Sequence, residues 1–348
     1  MTDPFSPTVE MVHGLRRFRL TNRVGVRVAV LELGAVVQSL LVPDGRGVPH
    51  EVVLGYDDPR DYLDDPYYLG AVVGRYANRI RDARFSLSGR EYHLEANDGA
   101  HVVHGGSAGL STQVWHGDVV HAPSWTGVRL RHHSPHGEGG FPGNLDTRVE
   151  YRLAADTATL SIGYQVRTDR PTVASLTNHT FFDLDGGTGQ SVVEHTLEVA
   201  ADMYLAVDAQ LLPTGEVLPV AGTPFDLRRP TELRQVIESP HPQIRTAGGL
   251  DHTFVVRGAG LRHCCTLRAA RSDLSLRVTS TEPGLDVYAA GGFDGSRTSS
   301  VGPLTAGRGI ALETEHFSNS PNEPAFPSTT LSPDAPLRST TVWSFGTS

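Results

Sequence analysis

The sequence predicts an all-β protein, a large antiparallel β-sandwich with very little helix. In Leu160–Val166 and Leu274–Thr279 every second residue is apolar, the period of a strand that is buried on one side. The 37 glycines and 23 prolines are spread along the 348 residues, which indicates many turns. Only Thr231–Glu238, with Thr231 as N-cap, has a convincing helix pattern. No fixed repeat emerges, so a sandwich is favoured over a propeller or solenoid.

The N-terminal part predicts an antiparallel meander. Short β segments at Phe18–Thr21, Val24–Leu31 and Val36–Val42 are separated by turn residues. Asp57–Leu63 is predicted to form one helical turn. Phe85–Leu94 predicts a hairpin, because alternating residues flank a Ser-Gly turn.

The stretch Val173–Gly186 resembles a strand but carries polar residues where a buried strand would keep hydrocarbon. With a period of two, Ser175, Thr177 and His179 share one face, which predicts a wet concavity. A single histidine at such a place is more often a structural residue held by its neighbours. The functional interpretation of His179 therefore depends on other polar sites in the chain.

Other polar stretches are candidates to meet it. Asn97–Gly106 is irregular and rich in glycine, as binding loops are, and Gly309–Glu315 is an apolar strand that ends in carboxylates. His132, His133 and His136 are predicted to lie in a solvated loop, since their spacing fits no standard metal site.

Length and composition limit the remaining functions. We expect one domain over residues 1–348. The net charge is −9 and no basic stripe occurs, so nucleic acid is not expected as a partner. The N-terminus lacks a signal-peptide pattern and no run approaches the roughly 20 apolar residues of a membrane span, which predicts a soluble intracellular protein. Adjacent Cys264 and Cys265 are expected to be reduced thiols.

Six motifs, taken together and in order, resemble those of the aldose 1-epimerases, or galactose mutarotases. Each motif alone is a weak signal, whereas six in the family's order are highly specific. The resemblance runs from about Leu15 to Phe345. The motifs are Gly74–Ile80, His104–Gly106, Asn178–Phe182, Pro213–Glu216 with Thr223–Asp226, Gly249–His252, and Leu312–Phe317 with Phe326–Ser328.

The resemblance implies a β-sandwich of the galactose mutarotase type with an open cleft. It implies a reaction, without cofactor or metal, that interconverts the α and β anomers of a free aldose. By analogy Glu313 is the base at the anomeric oxygen O1 and His179 is the acid at the ring oxygen O5. In this role Glu313 should be ionised and His179 should be an imidazolium. A small sugar is the expected partner of a cytoplasmic monomer or homodimer.

The same resemblance implies a set of substrate-binding residues. Arg79 offers a planar fork of donors to hydroxyl oxygens, and Asn78 offers both a donor and an acceptor. His104 and Asp251 match family positions that hold sugar hydroxyls or assist the acid. Asp286 is counted with them because it takes the place of a family glutamine.

Two departures from the family pattern leave the substrate open. Pro283–Phe293 has Asp286 for the glutamine and lacks the family's asparagine, and Glu315 replaces a second glutamine. Glu313 and Glu315 share a strand face, so burial together would make Glu313 harder to ionise. Extra acid is also suited to a substrate with an amino group or more donors.

Other functions remain open beside the mutarotase. One is a mutarotase fold recruited to another acid/base isomerisation or cyclisation in specialised metabolism. Another is a non-catalytic carbohydrate-binding protein, although the presence of both His179 and Glu313 argues against it. A hexose 6-phosphate as substrate is disfavoured, because the departures add acid where a cationic pocket is needed.

Overall fold

The computed structural model describes residues 7–187 and 191–347, and antiparallel strands dominate them. The prediction of an all-β protein with little helix is confirmed. In chain order the strands are β1 (Thr8–Val12), β2 (Leu15–Thr21), β3 (Arg27–Leu31), β4 (Val37–Pro43), β5 (Pro49–Glu51), β6 (Val72–Val73), β7 (Arg79–Ile80), β8 (Arg84–Leu87), β9 (Arg90–His93), β10 (Val102–Val103), β11 (His116–Ala122), β12 (Trp125–Ser134), β13 (Leu145–Ala154), β14 (Thr159–Thr168), β15 (Thr172–Val173), β16 (Thr177–Asn178), β17 (Phe181–Phe182), β18 (Thr196–Val199), β19 (Ala201–Val207), β20 (Pro213–Pro219), β21 (Thr231–Glu232), β22 (Asp251–Val256), β23 (Arg262–Arg268), β24 (Leu274–Ser280), β25 (Gly284–Tyr288), β26 (Asp294–Ser299), β27 (Gly302–Thr305), β28 (Ile310–Glu315), β29 (Thr330–Leu331) and β30 (Leu337–Thr347).

Two short α-helices, α1 (Leu233–Ile237) and α2 (Pro242–Ala247), occur in the described ranges. The predicted helix start at Thr231 is wrong, because Thr231–Glu232 pairs with β18 as β21 and the helix begins only at Leu233. Helix α2 was not predicted. Its signals were present in the sequence, since Pro242 opens it and Gly248 ends it in the left-handed conformation. The 3-10 turns lie at Pro59–Asp64, Arg81–Ala83, Leu110–Thr112, Glu138–Gly140, Val192–Glu194 and Ser320–Asn322.

Two large antiparallel sheets organise the described part of the chain. One has nine strands in the order β11-β12-β13-β14-β30-β24-β23-β18-β21, and the other has six in the order β17-β28-β25-β22-β19-β20. A five-stranded antiparallel meander, β1 to β5, precedes them in the chain. A meander was predicted for this part of the sequence. The predicted hairpin is the β8–β9 pair.

Alternating apolar residues from both large sheets meet in one core. Along β14 the apolar residues are buried and the intervening ones are partly exposed, as the predicted period of two requires. Trp343 of β30 packs edge to face on Phe182 of β17, with ring centroids 5.0 Å apart, and so joins the two sheets. This core cluster extends from Phe18 to Trp343. We therefore propose a single domain.

The stretch Val173–Gly186 does not form the continuous strand that was predicted. It divides into β15, β16 and β17, which pair with β29, β6 and β28 respectively. Between these strands Ser175 forms a bridge with Tyr76, and the backbone of His179 bonds to Gly70 and Ala71, so the chain passes from one pairing partner to the next. Residue His179 lies at the step between β16 and β17.

Several smaller expectations have clear outcomes. His132 and His133 lie in β12 and not in a loop, because the strand continues to Ser134. Cys264 and Cys265 are free thiols, both buried in β23. Among the described residues, no group of three or more His, Cys, Asp or Glu side chains is placed to hold a metal ion. Nor does any described helix have the length and apolar character needed to cross a bilayer.

One buried ion pair joins the turn before β28 to the segment that follows β17. The Arg308 guanidinium donates to Asp183 Oδ2 at 2.6 Å and to the carbonyl oxygen of Val301 at 2.9 Å. The side chains of Arg308 and Asp183 are 4% and 3% exposed. Loss of Arg308 would remove the cationic partner of the buried Asp183 carboxylate, which keeps the backbone N–H groups of Asp185 and Gly187 as donors.

We therefore expect Arg308→Met to lower the free energy of unfolding by about 3–5 kcal/mol. The matched control is Arg131→Met, which removes an ion pair to Asp118 whose side chains are 47% and 44% exposed. That control should cost less than about 1 kcal/mol. Urea denaturation measures both, and equal losses in the two variants would contradict the structural role of the buried pair.

Candidate active site

Three neighbouring strands of the six-stranded sheet place carboxyl groups on one face. Asp286 of β25 lies opposite Glu313 of β28 and opposite Thr253 of β22. Asp251 is two residues before Thr253 on β22, and Glu315 is two residues after Glu313 on β28. Because side chains alternate along a strand, all of these groups point to the same side of the sheet.

His179 meets this face from the step between β16 and β17. Its backbone N–H donates to the carbonyl oxygen of Ala71 at 2.8 Å, and its own carbonyl accepts from Gly70 N–H at 3.0 Å. These bonds fix the backbone and bring the His179 Nε2 atom to 3.3 Å from Glu313 Oε1. The His179 ring also packs edge-on against His104, with centroids 5.0 Å apart.

Two hydrogen bonds join Asn78 and His104. Both adopt positive φ angles, 60° and 53°. The Asn78 N–H donates to His104 Nδ1 at 3.2 Å, and the His104 N–H donates to the Asn78 carbonyl at 3.1 Å. Because Nδ1 accepts a hydrogen bond, a neutral His104 carries its proton on Nε2. Burial lowers the pKa of His104 well below its ordinary value, and the nearby His179 lowers it further.

The side chain of Asn78 is committed to the protein. Its Nδ2 donates to Asp286 Oδ2 at 2.8 Å and to Glu315 Oε1 at 3.3 Å, and its Oδ1 accepts from the Arg79 N–H at 2.9 Å. Both amide hydrogens are therefore used. The role of Asn78 as a sugar ligand stays a prediction, and only the remaining lone pair of Oδ1 is available for it.

All seven residues predicted for the site border one cavity of about 340 Å³. They come from separate parts of the chain: Asn78, Arg79, His104, His179, Asp251, Asp286 and Glu313. The predicted binding loop contributes Asn97, Asp98 and Val103 as well as His104. The chemical role of each of these residues stays a prediction.

The cavity also has an aromatic side that was not predicted. Tyr67, Tyr68, Tyr288 and Phe293 line it, and the Tyr68 ring packs on His104 with centroids 4.7 Å apart. Tyr67 and Tyr68 follow Pro66 in a turn that carries no chemical motif of its own, whereas Tyr288 and Phe293 lie in the stretch Pro283–Phe293.

Burial of several carboxyl groups together raises their pKa values. Burial raises the pKa of Glu313 well above its ordinary value, and the charges of Glu315 and Asp286 raise it further. The pKa of Glu315 is also raised well above its ordinary value, first by burial and then by Asp286. Burial, followed by the charge of Asp251, raises the pKa of Asp286 to about 7. The prediction that Glu315 would make Glu313 harder to ionise agrees with these directions.

The imidazolium expected at His179 stays a prediction, and burial of the ring opposes it. Burial lowers the pKa of His179 to about 4. The neighbouring Glu313 carboxyl binds its proton more tightly than an exposed glutamate does, because it is buried among other carboxyl groups. Both shifts favour a neutral imidazole beside a protonated carboxyl over an imidazolium beside a carboxylate.

The raised pKa of Glu315 makes stability depend on pH. Between the ordinary pKa of 4.5 and the raised value, the folded protein binds more protons than the unfolded chain, so this group lowers stability as pH rises. We expect Glu315→Gln to become progressively more stable than the wild type as pH rises above about 5, by at most about 1.4 kcal/mol per pH unit. Thermal unfolding across this range measures the difference. Thr314→Val, a buried and non-titrating change on the same strand, should show a flat difference, and a flat difference for Glu315→Gln would contradict the pKa direction.

Comparison with known proteins places the whole chain in one family. The family model for aldose 1-epimerase matches residues 16–344. Human galactose mutarotase is 35% identical over 333 residues, which cover 95% of this chain and 94% of the human protein. The aldose 1-epimerase of Escherichia coli strain K12 is 34% identical over 325 residues, 93% of this chain and 91% of that protein.

Solved structures agree with the sequence comparisons. An aldose epimerase homologue from C. elegans has a TM-score of 0.86 and 28% identity, covering 98% of this chain and 99% of its own. Galactose 1-epimerase from Lactobacillus acidophilus NCFM also has a TM-score of 0.86, with 27% identity and 99% coverage of both chains. The chain therefore belongs to the aldose 1-epimerase family.

Proposed function

We propose that the cavity catalyses the interconversion of the α and β anomers of a free aldose, which makes the protein a carbohydrate isomerase. The observation that carries this proposal is the distance of 3.3 Å between His179 Nε2 and Glu313 Oε1 on the cavity wall. O1 and O5 of a pyranose are bonded to the same carbon. A base for one and an acid for the other must therefore be close neighbours.

In the proposed reaction Glu313 accepts the proton of the O1 hydroxyl while His179 delivers a proton to O5. The C1–O5 bond breaks and an open-chain aldehyde forms. Rotation about the C1–C2 bond then presents the other face of the aldehyde to the O5 hydroxyl. Ring closure returns the proton of O5 to His179 and the proton of Glu313 to O1, so the enzyme ends as it began.

The two residues need only one exchangeable proton between them. A neutral His179 beside a protonated Glu313 contains the same number of protons as an imidazolium beside a carboxylate. Transfer of one proton from Glu313 to His179 converts the first pair into the second without exchange with solvent. We propose that substrate hydroxyls, which hydrogen-bond to the carboxylate, favour the second form.

The remaining predicted residues are proposed to bind the sugar. Arg79 donates from Nε to Asp98 Oδ2 at 2.9 Å, which holds the guanidinium at the cavity wall with its other donors available for hydroxyl oxygens. His104 presents its Nε2–H as a donor, because its Nδ1 accepts from Asn78. The carboxyl groups of Asp251 and Asp286 accept hydrogen bonds from sugar hydroxyls.

We further propose that the enzyme acts in the cytoplasm as a monomer or homodimer. The buried free thiols of Cys264 and Cys265 support a reducing compartment. The serious alternative is a different acid/base isomerisation or cyclisation by the same pair. Activity on simple aldoses separates it from mutarotation.

Glu313→Gln and His179→Ala should each lower kcat for mutarotation by about 100-fold or more, because each removes one of the two proton-transfer groups. Polarimetry of freshly dissolved α-glucose and α-galactose measures this. Glu198→Gln, a partly exposed glutamate on β18, is the control for a general effect of removing a carboxylate. Full activity of Glu313→Gln would contradict its role as base, and full activity of His179→Ala would contradict its role as acid.

The pH profile of kcat should be a broad plateau whose two limbs belong to the His179–Glu313 pair as a unit. Activity falls as pH is lowered towards about 4, where His179 takes up a second proton for the pair and no base remains. It falls on the alkaline side when the pair loses its single proton. Glu315→Gln should move the alkaline limb to lower pH, since the charge of Glu315 is one cause of the raised pKa of Glu313. An unchanged alkaline limb in this variant would contradict the proton assignment.

A further inference from the structure

The described cavity wall carries more carboxyl groups than permanent cations. Carboxyl groups of Asp98, Asp251, Asp286 and Glu313 line it, and among the described lining residues the one permanent cation is Arg79. That cation is already paired with Asp98. The other three carboxyl groups make no ion pair with Arg79; its charge lowers their pKa values, but burial raises those values by more.

Two of the acceptor groups on the wall are unused. Glu313 is 3% exposed, and its Oε2 atom has no hydrogen-bond partner among the described residues. The carboxyl group of Asp251 makes neither an ion pair nor a side-chain hydrogen bond with a described residue. A buried acceptor without a donor is costly, so the cavity is matched to a ligand that brings donors.

Asp286 is one of the lining residues, and both of its side-chain oxygens are acceptors. Its Oδ2 accepts from Asn78 Nδ2 at 2.8 Å, and its Oδ1 accepts from Thr253 Oγ1 at 3.2 Å. An amide at this position would give its carbonyl oxygen to Asn78, and its NH₂ group would then take the place of Oδ1. The carboxyl group thus replaces donors by an acceptor. Glu315 accepts a hydrogen bond from the same Asn78 amide group and so adds a further carboxyl group next to Asp286.

We propose that the preferred substrate is an aldose that carries a protonated amino group, and that Asp286 sets this preference. An ammonium group offers three donors and one positive charge, whereas a hydroxyl offers one donor and no charge. It therefore satisfies the free acceptors and also offsets the excess of carboxyl groups. This inference rests on the proposed mutarotase function.

The test compares kcat/KM by polarimetry for D-glucose and for its amino-deoxy derivatives with the amine at C2, C3 or C6, at equal ionic strength. The N-acetyl derivatives are the uncharged controls. The wild type should prefer at least one amino sugar at least tenfold over both glucose and the matching N-acetyl sugar. In Asp286→Asn, which keeps the shape and the bond to Asn78, this ratio should fall at least tenfold. No preference in the wild type, or an unchanged ratio in Asp286→Asn, overturns the inference.

A second measurement needs only the wild type and covers the case of an Asp286→Asn protein that fails to fold. Methyl glycosides cannot open, so they act as inhibitors of glucose mutarotation. The methyl glycoside of the preferred amino sugar should inhibit at a concentration at least tenfold lower than methyl glucoside, and equal inhibition overturns the inference. If the wild type accelerates neutral sugars without any preference for amines, only this inference fails. If it accelerates no sugar of either kind, the proposed function fails first.

Discussion

The register of β22, β25 and β28 is the constraint on which the site depends. Antiparallel pairing sets Asp286 directly beside Glu313, and the period of two adds Asp251 and Glu315 to the same face. A slip of one residue in β28 would turn Glu313 into the core on the other side of the sheet. The apolar side chains that alternate with these carboxyls, such as Leu312 and Val287, fix the register because they belong to the shared core.

The same arrangement explains the electrostatics of the site. Carboxyl groups that are buried side by side cannot all ionise, so the sheet keeps protons at a place where an exposed glutamate would have lost them. Asn78 lowers the cost of this burial by donating one amide hydrogen to Asp286 and the other to Glu315. His179 then faces a carboxyl that holds its proton more tightly than an exposed glutamate does, and the proposed ring opening needs a group there that both accepts and returns a proton.

The residues that form the site could be predicted from the sequence, but not all of the site's geometry could. The alternation in β14 and β24 predicted strands, and the ordered motifs predicted His179, Glu313 and Asp251 as members of one site. The protonation of His179 could not be predicted, because it depends on burial by residues such as Phe181 and His104 that are distant in sequence or carry no charge signal. The break of Val173–Gly186 into three short strands was also hidden, since pairing partners come from β6, β28 and β29.

The most direct test of the account is polarimetry of freshly dissolved α-D-glucose, α-D-galactose and their amino derivatives with increasing amounts of the wild-type protein. The account predicts that the rate of approach to equilibrium rises in proportion to protein concentration for at least one of these sugars, while the final rotation stays the same. A rate that remains at the buffer value for every sugar and every protein concentration would contradict the assignment of this cavity to aldose mutarotation.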